Sequence, residues 1–216
     1  MNHVEMFESL RSAGNITVRY KSESGWMKLI GALMFFNRQF MTHVTTTVGS
    51  TVYFPSRAYV ETDPAIAWDI LAHELVHVMD YKRNRFFVLL YLLPQLLSVL
   101  ALLAIPLHSW WPLLFLLCLA PLPAPWRLNS ELRGYAMGMA VWHWYRKAGI
   151  PQAMKSDITT YLTGPLYYFA WWVSREHVES RVNAWSKRIL LDEVDSDPPF
   201  KLVHDTIKAK QTRRQY

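Results

Sequence analysis

Residues 71–80 read LAHELVHVMD and contain the pentapeptide HELVH, in which His73 and His77 flank Glu74 and two apolar residues. Side chains four positions apart lie one above the other on a helix, so both histidine rings can reach one ion if this segment is helical. Glu74 then lies beside that face. The fold and the chemistry of the chain both depend on the helix that carries these residues.

The start of that helix is marked by Asp63 and Pro64, which are favourable at an N-cap and at the first helical position. No Gly or Pro follows until well after Tyr81. The pattern therefore predicts one helix from Pro64 to about Tyr81 with HELVH in its middle.

The HELVH spacing is typical of zinc sites, in which two histidines bind the ion and the glutamate removes a proton from water. A pentapeptide of this kind also recurs by chance. The alternative is an amphipathic helix with exposed histidine and glutamate side chains.

Strand-forming residues precede the helix. Residues 16–20 alternate between apolar and polar side chains, and residues 42–56 read THVTTTVGSTVYFPS. The second segment is rich in Thr, Val and aromatic residues and is interrupted at Gly49 and Ser50, which predicts a β-hairpin. An exposed edge strand in this position could align an extended peptide by main-chain pairing.

A long apolar run follows, and no charged residue occurs from Phe86 to Trp126. The segments 86–105 and 110–126 each approach the roughly 20 residues that cross a bilayer as a helix. With the turn at 106–112, they predict a transmembrane helical hairpin and make the lipid bilayer a partner. The alternative is a buried helical hairpin in a soluble protein.

A catalytic zinc site needs a third protein ligand. Asp80 lies one turn beyond His77 but close to it, and Glu131 begins a predicted helix (129–148) that the returning hairpin would bring back to the ion. Small residues at positions 134, 136 and 138 would let that helix pack closely on the HELVH helix. Alternatively, Glu131 is a carboxylate favoured at a helix N-terminus by the helix dipole.

The HELVH motif, the two-crossing apolar hairpin and the helix that carries Glu131 together resemble the membrane-embedded gluzincins of the CAAX-protease and heat-shock membrane protease type. A similarity to small HExxH proteins of tailed phages is weaker. The resemblance implies Zn²⁺ held by His73, His77 and Glu131, with Glu74 as general base and a peptide or protein as substrate. It also implies an α+β fold: a minimal zincin-like domain of a small β-sheet, the HExxH helix and the Glu helix, with an inserted transmembrane hairpin.

The sequence departs from that family where the pattern has an Asp beside the metal, because Tyr135 stands there. Membrane helices that the family carries before the motif are not evident either. Further candidates for supporting the ion or the transition state are Asp80, Tyr135 and His177. A phenol of Tyr167 or Tyr168 could donate to an oxyanion, although an interface or core role is the simpler reading of these tyrosines.

We expect four regions: 1–85 with the HExxH helix, the transmembrane hairpin 86–126, residues 127–194 with the third-ligand helix, and a polar basic tail, 195–216, that is loosely ordered. The start of the chain lacks the apolar core of a signal peptide. Basic residues flank the hairpin on both sides and are absent from its turn, which places both flanks in the cytoplasm.

The chain of 216 residues carries 23 Lys or Arg and 17 Asp or Glu, a net charge of +6. No zinc-finger or basic-region pattern accompanies these charges, so we do not expect nucleic acid as a partner. The predicted function is a membrane-anchored, zinc-dependent metalloendopeptidase with two spans and a cytoplasmic catalytic part. The alternative is a non-enzymatic membrane hairpin protein whose HExxH helix is structural or vestigial.

Overall fold

A computed structural model describes residues 3–33, 39–120, 122–164, 167 and 172–212. Helices account for 72% of the structure, and the strands of the described part form a single small sheet. The helices and strands, in chain order, are α1 (His3–Ala13), β1 (Thr17–Tyr20), a 3₁₀ helix (Lys21–Glu23), α2 (Gly25–Leu33), β2 (Thr46–Val48), β3 (Thr51–Phe54), α3 (Arg57–Thr62), α4 (Pro64–Arg83), α5 (Phe87–Leu92), a 3₁₀ helix (Gln95–Leu103), α6 (Ala104–Leu107), a 3₁₀ helix (Trp111–Leu119), α7 (Pro125–Arg146), α8 (Gln152–Leu162), α9 (Arg175–Leu190) and α10 (Pro198–Thr212).

Helix α4 begins where the sequence predicts. The Asp63 carboxylate accepts hydrogen bonds from the backbone N–H groups of Ala65 and Ile66, at 3.1 and 3.0 Å, and so satisfies two of the free donors at the helix start. The helix continues to Arg83 without a break. HELVH therefore lies in the middle of a capped helix of more than five turns.

The core forms where α4 packs against α7. Leu71 and Leu75 of α4 and Ala136 and Met137 of α7 are all completely buried. Helix α7 begins at Pro125, four residues earlier than the sequence predicts, so Glu131 lies in its second turn and not at its N-terminus. The helices α1, α9 and α10 pack around this central pair and bury it from the other sides.

The small sheet has the strand order β1-β3-β2. Strands β2 and β3 pair antiparallel and are joined at Gly49 and Ser50, so the predicted hairpin is confirmed. Gly49 has a φ of +62°, a left-handed conformation that glycine adopts without strain. Strand β1 pairs in parallel with β3, which leaves β2 at the edge next to α4.

The predicted α+β fold with an inserted transmembrane hairpin is wrong. Within the described residues, no helix has both the length and the apolar character needed to cross a membrane. The apolar run instead divides into short pieces: α5 ends before Pro94, and two 3₁₀ helices and α6 follow. Each 3₁₀ helix has nine residues, which span about 18 Å at roughly 2 Å per residue, well short of a hydrocarbon core of about 30 Å.

The predicted localisation, a membrane protein with two spans, is contradicted by the same finding. Proline lacks the N–H that an α-helix needs and clashes with the preceding turn, so Pro94 breaks what hydropathy alone reads as one continuous helix over residues 86–105. Several large side chains of this segment remain exposed, among them Ile105 (75%) and Trp110 (72%).

The C-terminal region also differs from the expectation of a loosely ordered tail. Residues Pro198–Thr212 form α10, whose side chains at Phe200, Val203 and Ile207 are buried. These positions are separated by three and four residues and so share one face of the helix. That apolar face, in a segment that is polar on average, is what docks α10 on the core.

Candidate metal centre

Three side chains with atoms suited to a metal converge between α4 and α7. The Nε2 atoms of His73 and His77 lie 3.2 Å apart, and they are 3.7 and 3.8 Å from the two carboxylate oxygens of Glu131. Among the residues that the structure describes, this is the cluster that could hold an ion. Donor atoms on a tetrahedral zinc, at bond lengths of 2.0–2.2 Å, lie about 3.4 Å from one another, so the spacing fits zinc.

His77 is oriented by Ser130, the residue before Glu131. Its Nδ1 shares a hydrogen bond of 3.0 Å with the hydroxyl of Ser130, and the residue is buried. A hydrogen bond to one ring nitrogen holds the other nitrogen toward the cluster, as outer partners of metal-binding histidines commonly do. Ser130 and Glu131 therefore act from adjacent positions of α7 on the same site.

His73 fits against α7 because residue 134 has no side chain. A Cβ atom on Gly134 would lie 2.6 Å from both Cε1 and Nε2 of His73, closer than atoms can approach. The ring of Tyr135 packs against His73 edge to face, with centroids 5.1 Å apart. Tyr135 therefore contacts His73 through its ring, and its hydroxyl lies 2.9 Å from that of Tyr167.

The Glu131 carboxylate is held by tyrosines. The phenol of Tyr91 donates to Oε1 at 2.5 Å, and the phenol of Tyr167 donates to Oε2 at 3.3 Å. The Tyr167 and Tyr135 hydroxyls are 2.9 Å apart, so three tyrosines form a connected group around one carboxylate. Both oxygens of this buried acid are therefore satisfied within the protein.

Electrostatics in this cluster favour a charged pair. Burial by itself would raise the pKa of Glu131, but the neighbouring His73 and His77 and the Tyr91 hydrogen bond lower it to about 2. Burial would likewise lower the pKa of His73, but Glu131 and the charge of Glu74 raise it above its ordinary value. The metal-free site therefore favours an ionised Glu131 beside a protonated His73.

Glu74 faces the edge of the sheet. Its Oε2 accepts a hydrogen bond of 2.6 Å from the hydroxyl of Thr47 in β2. Nearby, the buried Lys21 donates from Nζ to the carbonyl oxygens of Phe40 and Val44, at 2.7 Å each. Burial lowers the pKa of Lys21 to about 8, partly offset by the charge of Glu74.

Asp80 pairs with Arg133. Its carboxylate accepts a hydrogen bond from Nη1 of Arg133, and Nη2 of the same arginine is 2.7 Å from both oxygens of Asp197. Asp80 therefore lies outside the ligand cluster and forms part of an ion triad that joins α4, α7 and the turn before α10.

His177 does not join the cluster. It is exposed in the first turn of α9, where its backbone N–H donates to the Ser174 hydroxyl at 3.2 Å. Tyr168, the other phenol proposed for an oxyanion, lies outside the described residues. Of the two candidate tyrosines, Tyr167 is thus the one with a known position, next to Glu131.

Three residues in contact with the site were not singled out by their sequence pattern: Thr47, Tyr91 and Ser130. Thr47 stands in a run of threonines that marks the strand, and only the register of β2 shows which one meets Glu74. Tyr91 is the one tyrosine of the apolar run, which is a signal of a special role. Ser130 immediately precedes the candidate ligand and reads as a helix cap.

The donor set of two imidazole nitrogens and one carboxylate oxygen is one that zinc accepts in catalytic sites. The residues present therefore fit the metal that the HExxH pattern implies. The chain matches no protein-family model, and no curated protein or solved structure matches it either.

Proposed function

We propose that the protein is a zinc-dependent metallopeptidase in which His73, His77 and Glu131 hold the ion and Glu74 is the general base. The observation that carries the proposal is the meeting of three donor atoms within 4.8 Å of one another, with Glu74 next in sequence to one of them. A resemblance to gluzincins at the motif and at Glu131 agrees with this assignment.

A zinc ion held by His73, His77 and Glu131 would lower the pKa of water to about 7 and would polarise the substrate carbonyl. Glu74 accepts the proton of the attacking water and passes it to the leaving amine. Because Thr47 donates to its Oε2, we expect Oε1 to carry this proton. The tyrosines hold Glu131 in place.

Strand β2 supplies a way to align the substrate. It lies at the edge of the sheet, pairs with β3 on one side and presents Thr47 to Glu74. An extended peptide added along such an edge gains main-chain hydrogen bonds, and its scissile bond would pass next to the general base. This arrangement favours a peptide over a compact small molecule as substrate.

Metal content is the decisive measurement. Protein purified without chelator is expected to contain about one zinc per chain, as a three-ligand catalytic site binds one ion. His77→Ala and Glu131→Ala should lose the metal, whereas the matched control His177→Ala should retain it. Glu74→Gln should keep its zinc and hydrolyse an unbiased mixture of fluorogenic peptides roughly 100-fold more slowly or worse.

A structural role for the HELVH helix is the competing function, and one observation favours it. The carboxylate of Glu131 accepts hydrogen bonds from Tyr91 and Tyr167, one on each of its oxygens. Zinc near zero in the parent, even after incubation with the ion, would support this reading and exclude the enzyme. Equal activity in Glu74→Gln would remove that residue as the base.

A further inference from the structure

The apolar segment after α4 reaches into the candidate metal centre through α5. Phe87 and Tyr91, one turn apart on this helix, place their ring centroids 6.4 and 6.0 Å from that of His77. The two aromatic rings also contact each other at 5.7 Å. Helix α5 therefore covers the side of the site where His77 and Glu131 lie.

The hydroxyl group of Tyr91 on α5 points at the carboxylate of Glu131. The Tyr91 hydroxyl donates to Oε1 of Glu131 at 2.5 Å, a short bond of the kind formed between a hydroxyl and an ionised carboxylate. The guanidinium of Arg127 lies over the Tyr91 ring, 5.0 Å from its centroid. The phenol is thus fixed from both sides, by the carboxylate it serves and by a cation on α7.

We infer that Tyr91 is a positioning residue for Glu131, which it holds with Oε2 toward the ion. The inference deepens the proposed function and rests on it. With Oε1 engaged by Tyr91, Oε2 is the oxygen left to bind the ion, since its own hydrogen bond to Tyr167 is longer and weaker at 3.3 Å. Glu131 then acts as a ligand through one oxygen, and helix α5 is part of the metal site.

The exposed fractions of the three candidate ligands indicate which side of the site is open to a substrate. The side chains of His77 and Glu131 are only 8% and 7% exposed, whereas that of His73 is 18% exposed. Helix α5 covers His77 and Glu131, so a substrate reaches the ion from the side of His73, Glu74 and β2. This is the same side on which the edge strand lies.

The test is the metal affinity of Tyr91→Phe, which removes the hydroxyl and keeps the ring contacts with Phe87 and His77. Loss of a partner of a metal ligand typically weakens binding 10- to 100-fold, so the zinc Kd, measured by competition with a chromophoric chelator, should rise by about that factor. Tyr167→Phe should weaken binding less. Tyr145 lies about 21 Å beyond Glu131 along α7. Tyr145→Phe is therefore the matched control and should leave the zinc Kd unchanged.

A second readout separates a change of coordination from a general loss of stability. At saturating cobalt, the visible absorption spectrum of Tyr91→Phe should differ from that of the parent, because the freed carboxylate can bind through both oxygens. The metal-free variant should keep the far-UV spectrum of the parent. Equal Kd and equal cobalt spectra would overturn the role of Tyr91 and leave the proposed function intact, whereas a parent that binds neither metal would overturn both.

Discussion

Gly134 decides, as a single residue, whether α4 and α7 can bring the candidate metal ligands together. Its missing side chain is filled by the His73 ring, and any Cβ atom there would lie 2.6 Å from Nε2, the atom that would bind a metal. Gly138, one turn further along the same helix, has no atom within 4 Å of the position a Cβ would take. The two glycines therefore form a natural pair for an experiment.

Gly134→Ala is expected to displace the His73 ring and to weaken zinc binding by more than about tenfold. Overpacking of this kind also costs about 1–3 kcal/mol of stability. Gly138→Ala should leave zinc binding unchanged and stabilise the helix by roughly 0.5–1 kcal/mol. Chelator competition and urea unfolding measure the two effects, and equal zinc affinity in both variants would contradict the packing argument.

The pair of His73 and Glu131 makes the metal-free protein sensitive to pH in a defined direction. The pKa of Glu131 falls from 4.5 to about 2 on folding, so its contribution to stability is present above pH 4.5 and is lost as the pH falls toward 2. The pKa of His73 is raised above 6.5, so its contribution is present below 6.5 and is lost as the pH rises through the raised value.

With EDTA present, the free-energy difference between the parent and Glu131→Gln should therefore be largest between about pH 4.5 and 6.5 and smaller on either side. Urea unfolding at pH 3, 5.5 and 8.5 measures it. A difference that does not vary with pH would show that the carboxylate charge does not stabilise the metal-free fold. Zinc should suppress the decline on the alkaline side, because it replaces the proton on His73.

At the scale of elements, the edge strand β2 and helix α4 meet at one hydrogen bond. The Thr47 hydroxyl donates to Oε2 of Glu74, the proposed general base, and so fixes the orientation of its carboxylate. Thr46 and Thr47 are adjacent in β2, so their side chains point to opposite faces of the sheet. Only one of these two threonines can serve Glu74.

Thr47→Val keeps the shape of the side chain and removes the donor. We expect zinc to be retained and kcat to fall about tenfold, since a misplaced base loses part of the 10²–10⁴-fold contribution of general base catalysis. Thr46→Val is the matched control and should leave kcat close to that of the parent. If both variants hydrolyse peptides equally, β2 does not orient the base.

At the scale of the whole molecule, an ion triad ties the C-terminal helix to the site. Arg133 of α7 binds Asp80 of α4 and Asp197, which lies immediately before α10. The three side chains are each about four-fifths buried, with exposed fractions between 16% and 21%. Asp80 and Arg133 lie on the two helices that carry the candidate metal ligands, so the triad couples the docking of α10 to the packing of those helices.

Arg133→Met should leave two carboxylates without their cation and destabilise the protein by about 3 kcal/mol, as removal of one partner of a buried pair does. Lys201→Met breaks an exposed pair with Asp205 on α10 and should cost much less stability than Arg133→Met, because solvent screens exposed charges. Thermal or urea unfolding of the metal-free proteins gives both values. Similar losses in the two variants would mean that the triad acts as an ordinary surface contact.

The apolar run shows where prediction by composition failed. Residues 86–126 lack charge, and hydropathy alone predicts two membrane-spanning helices there. Pro94 already indicates that the first of them cannot continue as one α-helix, because its ring and missing N–H break the helical hydrogen bonding. The resulting short segments still return the chain to α7, so the helix that bears Glu131 comes back to α4 by a different route from the one expected.

The sequence by itself determined the elements whose signals are local. An N-cap at Asp63, an unbroken helical stretch around HELVH and a glycine turn at Gly49 each act through neighbours within a few residues, so α4 and the β2–β3 hairpin could be predicted. The spacing of His73 and His77 on one helical face follows from the same local geometry.

Only the tertiary structure decided what surrounds those two histidines. Three hydrogen bonds join residues that are far apart in the chain: Ser130 to His77 across 53 positions, Tyr91 to Glu131 across 40, and Thr47 to Glu74 across 27. Such partners depend on how helices pack and on the register of a strand, which no local pattern encodes. The sequence thus determined the helix that carries the motif, while long-range packing of α4, α5, α7 and β2 decided whether its side chains form a site.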